Sequence, residues 1–204
     1  GIDIPASEIL TPPVAAVDWL RRNRPGPAAL FVRQATRADF DGVELLDDGA
    51  ESAAGAVVVG DMGDRWDYPT LNRAFRLLMD PARPRLIALG MTRYWKAGDG
   101  LRLDTAPFVV ALEHAAGVEA LVLGKPAEGF FRAALHRVGA EAGETLMIGD
   151  DIRGDIEGAR RAGLRAMLVR TGKFRPSDLE SDVEPDAVVG SIADLAQWWR
   201  ESAE

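Results

Sequence analysis

Short apolar runs recur along this chain, and the stretches between them carry apolar residues three and four apart. Ala28-Ala-Leu-Phe-Val32, Ala56-Val-Val-Val-Gly60, Arg85-Leu-Ile-Ala-Leu89, Glu119-Ala-Leu-Val-Leu123, Thr145-Leu-Met-Ile-Gly149 and Arg165-Ala-Met-Leu-Val169 read as buried strands, with Ala187-Val-Val189 a further short one. Helices are expected between them. Thr11-Pro-Pro supplies an N-cap and a first-turn proline for a helix to about Arg22. Leu71, Ala74, Phe75 and Leu78 mark an amphipathic helix within 67–80, ended by Pro81 and Pro84. Further helices are expected over 105–116, 128–138 and 152–162, and Ser191-Ile-Ala-Asp194 is a capping box for the last, with Leu195, Trp198 and Trp199 available for the core. Residues 90–104 read as a Gly-rich polar loop. Strands alternate with helices throughout, so the fold class is α/β with a largely parallel sheet. The stretch 47–121 has longer, more polar loops and reads as a second domain.

Composition narrows the function. The 204 residues carry a net charge of −8, which excludes the basic face of a nucleic-acid binder. There is no cysteine, hence no disulfide framework and no thiolate metal site. No apolar run reaches the roughly 18 residues of a membrane span, and the N-terminus lacks the pattern of a signal peptide, so a cytoplasmic protein is expected. Lysine is scarce against arginine, and Lys96, Lys125 and Lys173 stand out for that reason.

The candidate chemistry gathers at strand ends. Thr145-Leu-Met-Ile-Gly-Asp-Asp-Ile-Arg-Gly-Asp155 runs from an apolar strand into three carboxylates and then a helix. Carboxylates at the carboxyl end of a strand suit Mg²⁺, a hard cation that shares oxygen ligands with phosphate. The same residues also suit the capping of a helix N-terminus. Lys125, in the Gly124-Lys-Pro126 break, either neutralises a phosphate as a point charge or is a solvated surface lysine. Arg93, Tyr94, Trp95 and Lys96 either meet a substrate or form an exposed turn. Asp61 and Asp64 with Trp66 read as a solvated strand-end cluster, His114 and His136 as packing or surface residues, and Thr171-Gly-Lys173 as a plain turn.

Taken together, several segments resemble one family. Leu123-Gly-Lys-Pro126, Met147-Ile-Gly-Asp-Asp-Ile-Arg-Gly-Asp-Ile156, Gly158-Ala-Arg-Arg-Ala-Gly163 and Val169-Arg-Thr-Gly-Lys-Phe-Arg-Pro-Ser-Asp178 are similar to the C-terminal half of haloacid dehalogenase-like (HAD) phosphatases with a large inserted α/β cap. Leu71-Asn-Arg-Ala-Phe75, Arg93-Tyr-Trp-Lys96 and Asp99-Gly-Leu101 resemble cap segments of that group. The resemblance implies a Rossmann-like parallel core, here residues 1–46 and 122–204, and a cap, here 47–121. It implies a Mg²⁺ cofactor, an aspartyl-phosphate intermediate and a small phosphorylated substrate, a phosphoamino group or pyrophosphate. By position it makes Lys125 the phosphate-binding lysine, Asp150 the metal ligand, and Asp151 and Asp155 supporting acids. A homodimer is in keeping with the family, and no nucleic-acid or membrane partner is expected.

One part of the pattern is missing. The family's nucleophile lies in an Asp-x-Asp or Asp-x-Ser motif after a first strand, and this chain, opening at Gly1-Ile-Asp-Ile-Pro, matches only beyond it. The expectation is that the nucleophile belongs to a preceding segment, that the chain alone is inactive, and that its core retains strands 28–32, 145–149 and 165–169 with unpaired edges. A non-catalytic binding or interaction module on the same fold is the competing class.

Overall fold

The computed structural model describes residues 3–5 and 8–202. The chain divides into two compact units, one of residues 9–124 and one of residues 1–8 with 125–204.

The 9–124 unit is built on four parallel strands, β1 (Ala28–Phe31), β2 (Ala56–Val59), β3 (Arg85–Ala88) and β6 (Leu121–Val122), in the order β1-β2-β3-β6. Its helices are α1 (Pro12–Asn23), the single turn α2 (Gln34–Arg37), α3 (Tyr68–Leu78) and α4 (Thr105–Ala116). The Thr11 hydroxyl accepts from the Val14 N–H and starts α1 with a proline in its first turn, as the sequence anticipates. Asp67 caps α3 in the same way, accepting from the Thr70 N–H at 2.9 Å. Alternate strand residues Ala29, Phe31, Val57, Val59, Leu86 and Ala88 form one core with Ala74, Leu77 and Leu78 of α3 and Val109 and Leu112 of α4. Strands buried on both faces have no polar side, which is why they appear in the sequence as unbroken apolar runs. Each fully buried Val, Leu or Phe among them contributes about 1.5–3 kcal/mol.

β1 overturns the expected division of the chain. Ala28 to Phe31 pair in parallel with Ala56 to Val59, so this strand belongs with β2 and not with the strands near 147 and 167. The boundaries fall at 8/9 and 124/125 rather than at 46/47 and 121/122. The physical reason is that both runs are wholly buried, and their parallel pairing satisfies backbone groups that burial would otherwise leave without partners. The expected loop over 90–104 is also replaced. β4 (Tyr94–Ala97) and β5 (Gly100–Leu103) form an antiparallel hairpin closed by Gly98 and Asp99, with the Arg102 guanidinium on the Asp99 carboxylate at 2.6 Å. β5 is exposed along its length, so no buried face marks it in the sequence.

Gly55 shows how closely the start of β2 is packed. A Cβ placed there would lie 2.1 Å from the Pro25 carbonyl oxygen, and backbone cannot yield as a side chain would. Gly55→Ala should therefore destabilise this unit by about 2 kcal/mol or more, read as a lowered thermal midpoint by circular dichroism. An unchanged midpoint would show that the Pro25 turn is free to move.

The second unit holds three parallel strands, β7 (Leu146–Gly149), β8 (Arg165–Val169) and β9 (Ala187–Val189), in the order β7-β8-β9. Helix α5 (Glu128–Val138) contributes Phe131 to a core with Ile152, Ile156, Ala159, Leu164, Ala166 and Leu168. Residues Ile152–Glu157 form a wide π-type turn that runs into α6 (Gly158–Arg161), and α7 (Leu195–Ser202) ends the described chain. Ser191 and Asp194 form the expected capping box. Of the two tryptophans available for the core, Trp199 is instead 60% exposed. No helix among the described residues is long and apolar enough to cross a membrane.

Candidate active site

The site grows out of the end of β7. The strand closes at Gly149, and Asp150 and Asp151 follow at its carboxyl end. Asp151 caps the helix that comes next, its Oδ1 accepting from the Arg153 N–H at 3.1 Å and the Gly154 N–H at 2.8 Å. The Asp151 carbonyl accepts from both the Asp155 N–H at 2.8 Å and the Ile156 N–H at 3.2 Å. That shared carbonyl is what widens the first turn, a geometry found often at functional sites.

The widened turn tucks Asp155 inward, leaving it 4% exposed. Its Oδ2 accepts from the Asp151 N–H at 3.3 Å and its Oδ1 from the Lys125 ammonium at 2.6 Å. Gly149 makes the space, since a Cβ there would sit 2.3 Å from Asp155 Oδ2. Lys125 follows Gly124 through a backbone that continues into a cis peptide with Pro126. Lys125, Asp150, Asp151 and Asp155, which the resemblance casts as phosphate-binding lysine, metal ligand and two supporting acids, are thus gathered at the end of β7.

A fifth residue, Lys173 of the expected plain turn, joins them. The Lys173 ammonium donates to Asp151 Oδ2 at 2.9 Å, and its backbone N–H donates to Asp150 Oδ2 at 2.6 Å. Gly172 has a φ of +56°, and a Cβ on it would fall 1.9 Å from Asp150 Oδ2. The loop after β8 therefore presses directly on the acidic loop after β7. The scarcity of lysine was the signal that could have found Lys173, because two of the chain's few lysines stand within one ion-pair network.

The electrostatics follow from these contacts. Burial pushes the Asp151 carboxyl up, but the Gly154 N–H, the Lys173 ammonium and the Arg153 N–H outweigh it and hold the group below the ordinary carboxylate range. Burial pulls Lys173 down, yet Asp151, then Asp150 and Asp155, leave it above the ordinary lysine value. The depressed acid contributes stability above its unfolded pKa and loses it as pH falls through the lowered folded value. The raised base contributes below its unfolded pKa and loses that as pH rises through the raised value. Both partners are partly solvated, so the pair contributes about 1 kcal/mol or less. Lys173→Ala should lower the thermal midpoint at neutral pH, and the difference from the parent should close below the carboxylate range. A gap that persists in acid would mean that Lys173 acts through packing instead.

The other expectations resolve separately. Arg93, Tyr94 and Trp95 lie at and within β4, with the Arg93 guanidinium 5.9 Å from the centre of the Tyr94 ring. Lys96 is in the same strand, and its side chain lies outside the described residues. None of the four belongs to the Lys125 unit. Asp61 is not simply solvated, since it holds the Arg33 guanidinium at 2.7 Å and the Gly63 N–H at 2.7 Å. Trp66 is stacked between Phe31 and Phe108, with ring centres 6.0 and 4.7 Å away.

The donor set at the end of β7 suits Mg²⁺. Among the described residues, no three His, Cys, Asp or Glu side chains converge as a metal cage. Mg²⁺ does not require one, because it keeps several waters and takes one or two carboxylates together with substrate phosphate. Asp150 fits that role. Its Oδ2 is fixed by the Lys173 N–H, and its Oδ1 accepts nothing from the described residues.

Residues 122–195 match the HAD-hydrolase-like family model. The chain is 42% identical over 195 residues to phospholysine phosphohistidine inorganic pyrophosphate phosphatase of Homo sapiens, covering 95% of this chain and 70% of that protein. It is 44% identical over 178 residues to the Homo sapiens haloacid dehalogenase-like hydrolase domain-containing protein 2, covering 87% and 65%. Among solved structures, a p-nitrophenyl phosphatase from Archaeoglobus fulgidus superposes with a TM-score of 0.84 at 26% identity, covering 97% of this chain and 77% of that one. A strand-end Asp pair, a buried Asp–Lys bridge and relatives of this similarity lead to one assignment: the chain belongs to the haloacid dehalogenase-like hydrolase family.

Proposed function

We propose that the chain carries the phosphate- and metal-binding side of a Mg²⁺-dependent phosphatase that acts on a small phosphorylated compound, a phosphoamino group or pyrophosphate. The observation that carries this reading is the continuous network Lys125–Asp155–Asp151–Lys173–Asp150 at the end of β7. In it Lys125 is held by a buried carboxylate while remaining partly open to solvent, the arrangement a phosphate-neutralising cation needs. Asp155 fixes the lysine, Asp151 fixes the loop, and Asp150 offers one free carboxylate oxygen to the metal. When bound, Mg²⁺ would offset phosphate charge and favour attack by an anionic nucleophile. Asp151 and Asp155 are both committed to backbone N–H groups and ammonium groups, so neither is the nucleophile. In keeping with the family, attack by another aspartate and an aspartyl-phosphate intermediate complete the proposal.

The 9–124 unit is the proposed cap, in place of 47–121, and its hairpin residues Arg93, Tyr94, Trp95 and Lys96 the proposed selectors of substrate. Two cations and two aromatic rings within four residues suit an anionic or amino leaving group. The similarity to a phosphatase named for phospholysine, phosphohistidine and pyrophosphate supports the substrate class.

The test is phosphate release by the product of the complete gene, with Mg²⁺ or with EDTA, from pyrophosphate, N-phospholysine and p-nitrophenyl phosphate. Release from all three with Mg²⁺ alone is expected. Release from p-nitrophenyl phosphate only would remove the phosphoamino group and pyrophosphate from the proposed substrates, and release from none would refute the phosphatase reading.

A further inference from the structure

The 9–124 unit holds a second set of cations that the Lys125 site does not use. A cavity of about 190 Å³ opens at the carboxyl end of β1, against Phe31, and is lined by Arg37, Arg65 and Arg73 with Asp48 and Thr70. The carboxyl ends of strands are where open α/β sheets bind ligands. Three guanidinium groups against one carboxylate is a strongly positive lining in a protein of net charge −8.

Each arginine is anchored in a way that leaves donors over. Arg65 donates through Nη2 to the Val32 carbonyl at 2.7 Å. Arg73 donates through Nε to the Ala50 carbonyl at 2.9 Å and through Nη2 to the Asp47 carbonyl at 3.0 Å, and it lies 5.1 Å over the Phe31 ring. Arg37 pairs with Asp48 at 3.0 Å. A guanidinium has five N–H donors, and these anchors spend one or two on each. The backbone anchors fix the direction of Arg65 and Arg73 without neutralising them.

The charges are crowded. Burial pushes the Arg73 guanidinium below its ordinary value and Arg37 pushes in the same direction, while Asp48 and, less strongly, Glu51 oppose this. The Asp48 carboxylate is 71% exposed, so its bridge to Arg37 is weak and readily exchanged for another anion. The α3 N-terminus adds little, because Asp67 already accepts from the Thr70 N–H.

We infer that this cavity is a binding site for a phosphate-sized oxyanion. Its volume is below the roughly 300–1,000 Å³ of pockets for drug-sized ligands, so the occupant is a small group. A phosphate dianion offers enough oxygens and charge for three guanidinium groups at once, and arginine forks match its geometry. A carboxylate offers two oxygens and one charge.

The test is a titration of inorganic phosphate into the ¹⁵N-labelled chain at constant ionic strength, followed by amide NMR, with chloride as the control. The Val32, Gln34 and Thr70 amides report this cavity, and the Asp151, Gly172 and Lys173 amides report the other site. Saturable shifts are expected at the first group. Arg37→Gln and Arg65→Gln should each raise their apparent Kd about tenfold, with the curve at the second group unchanged. Arg65 also holds the Val32 carbonyl. If Arg65→Gln disturbs β1, Arg37→Gln decides, since its side chain holds only exposed Asp48 among the described residues. No saturable shift at Val32, Gln34 and Thr70, or an unaltered Kd in the deciding variant, would overturn the inference. Phenyl phosphate in EDTA distinguishes the source: matching shifts assign the site to a phosphoryl group on a larger molecule, and shifts with inorganic phosphate alone assign it to the free ion. The two groups of amides titrate independently, so failure here leaves the Lys125 reading intact, and the reverse also holds.

Discussion

Asp150→Asn should lower Mg²⁺-dependent phosphate release at least about 100-fold while leaving the fold in place. The substitution keeps the shape of the side chain, and its amide oxygen still accepts from the Lys173 N–H that now meets Asp150 Oδ2. Gly172 continues to make room for it. What is lost is the negative charge, and with it the hard anionic oxygen that Mg²⁺ prefers. Raising the Mg²⁺ concentration should restore part of the rate, because the defect lies in occupancy of the metal site. The thermal midpoint should move little, since no core contact is broken. A variant with the parent's rate and Mg²⁺ dependence would remove Asp150 from the role of metal ligand.

Lys125→Ala should harm both activity and stability, for separate reasons. The activity loss, about 100-fold in kcat/KM, follows from removal of the cation that would neutralise phosphate. The stability loss follows from Asp155. That carboxylate is 4% exposed and meets the Lys125 ammonium at 2.6 Å, so among the described residues the variant leaves a buried charge with one hydrogen bond, the longer Asp151 N–H contact. Leaving a buried acceptor without its cation costs about 1–3 kcal/mol. The double variant Lys125→Ala/Asp155→Asn separates the two effects. It should regain most of the stability, because no buried charge is left over, and none of the activity. Recovery of activity in the double variant would mean that Lys125 serves only to neutralise Asp155.

Much of this arrangement could be read from the residues. Thr11 and Ser191 announce their helices, because capping chemistry is local and does not depend on distant packing. The acidic loop was legible because a strand, a glycine and a run of aspartates lie contiguous in the sequence. The partnership of Lys125 with Asp155 was not, since 30 residues separate them and the widened turn that aims Asp155 inward leaves no compositional mark. Lys173 was missed for the same reason. Its role depends on a left-handed Gly172 that lets the loop after β8 touch the loop after β7. Strand pairing is less legible still. The run Ala28–Phe31 is as apolar as the strands of either unit, so periodicity identifies it as a buried strand and says nothing about which sheet receives it. The β4–β5 hairpin escaped because its exposed strands carry no buried face to set against a polar one.

Hydrolysis of p-nitrophenyl phosphate by the complete gene product, titrated with Mg²⁺ for the parent, Asp150→Asn and Lys125→Ala, bears most directly on the strand-end site. Expected is a rate that rises and saturates with Mg²⁺ in the parent, a curve displaced to higher Mg²⁺ in Asp150→Asn, and a depressed rate at every Mg²⁺ concentration in Lys125→Ala. Hydrolysis that ignores Mg²⁺, or that proceeds at the parent's rate in both variants, would contradict a phosphatase site built from Lys125 and Asp150.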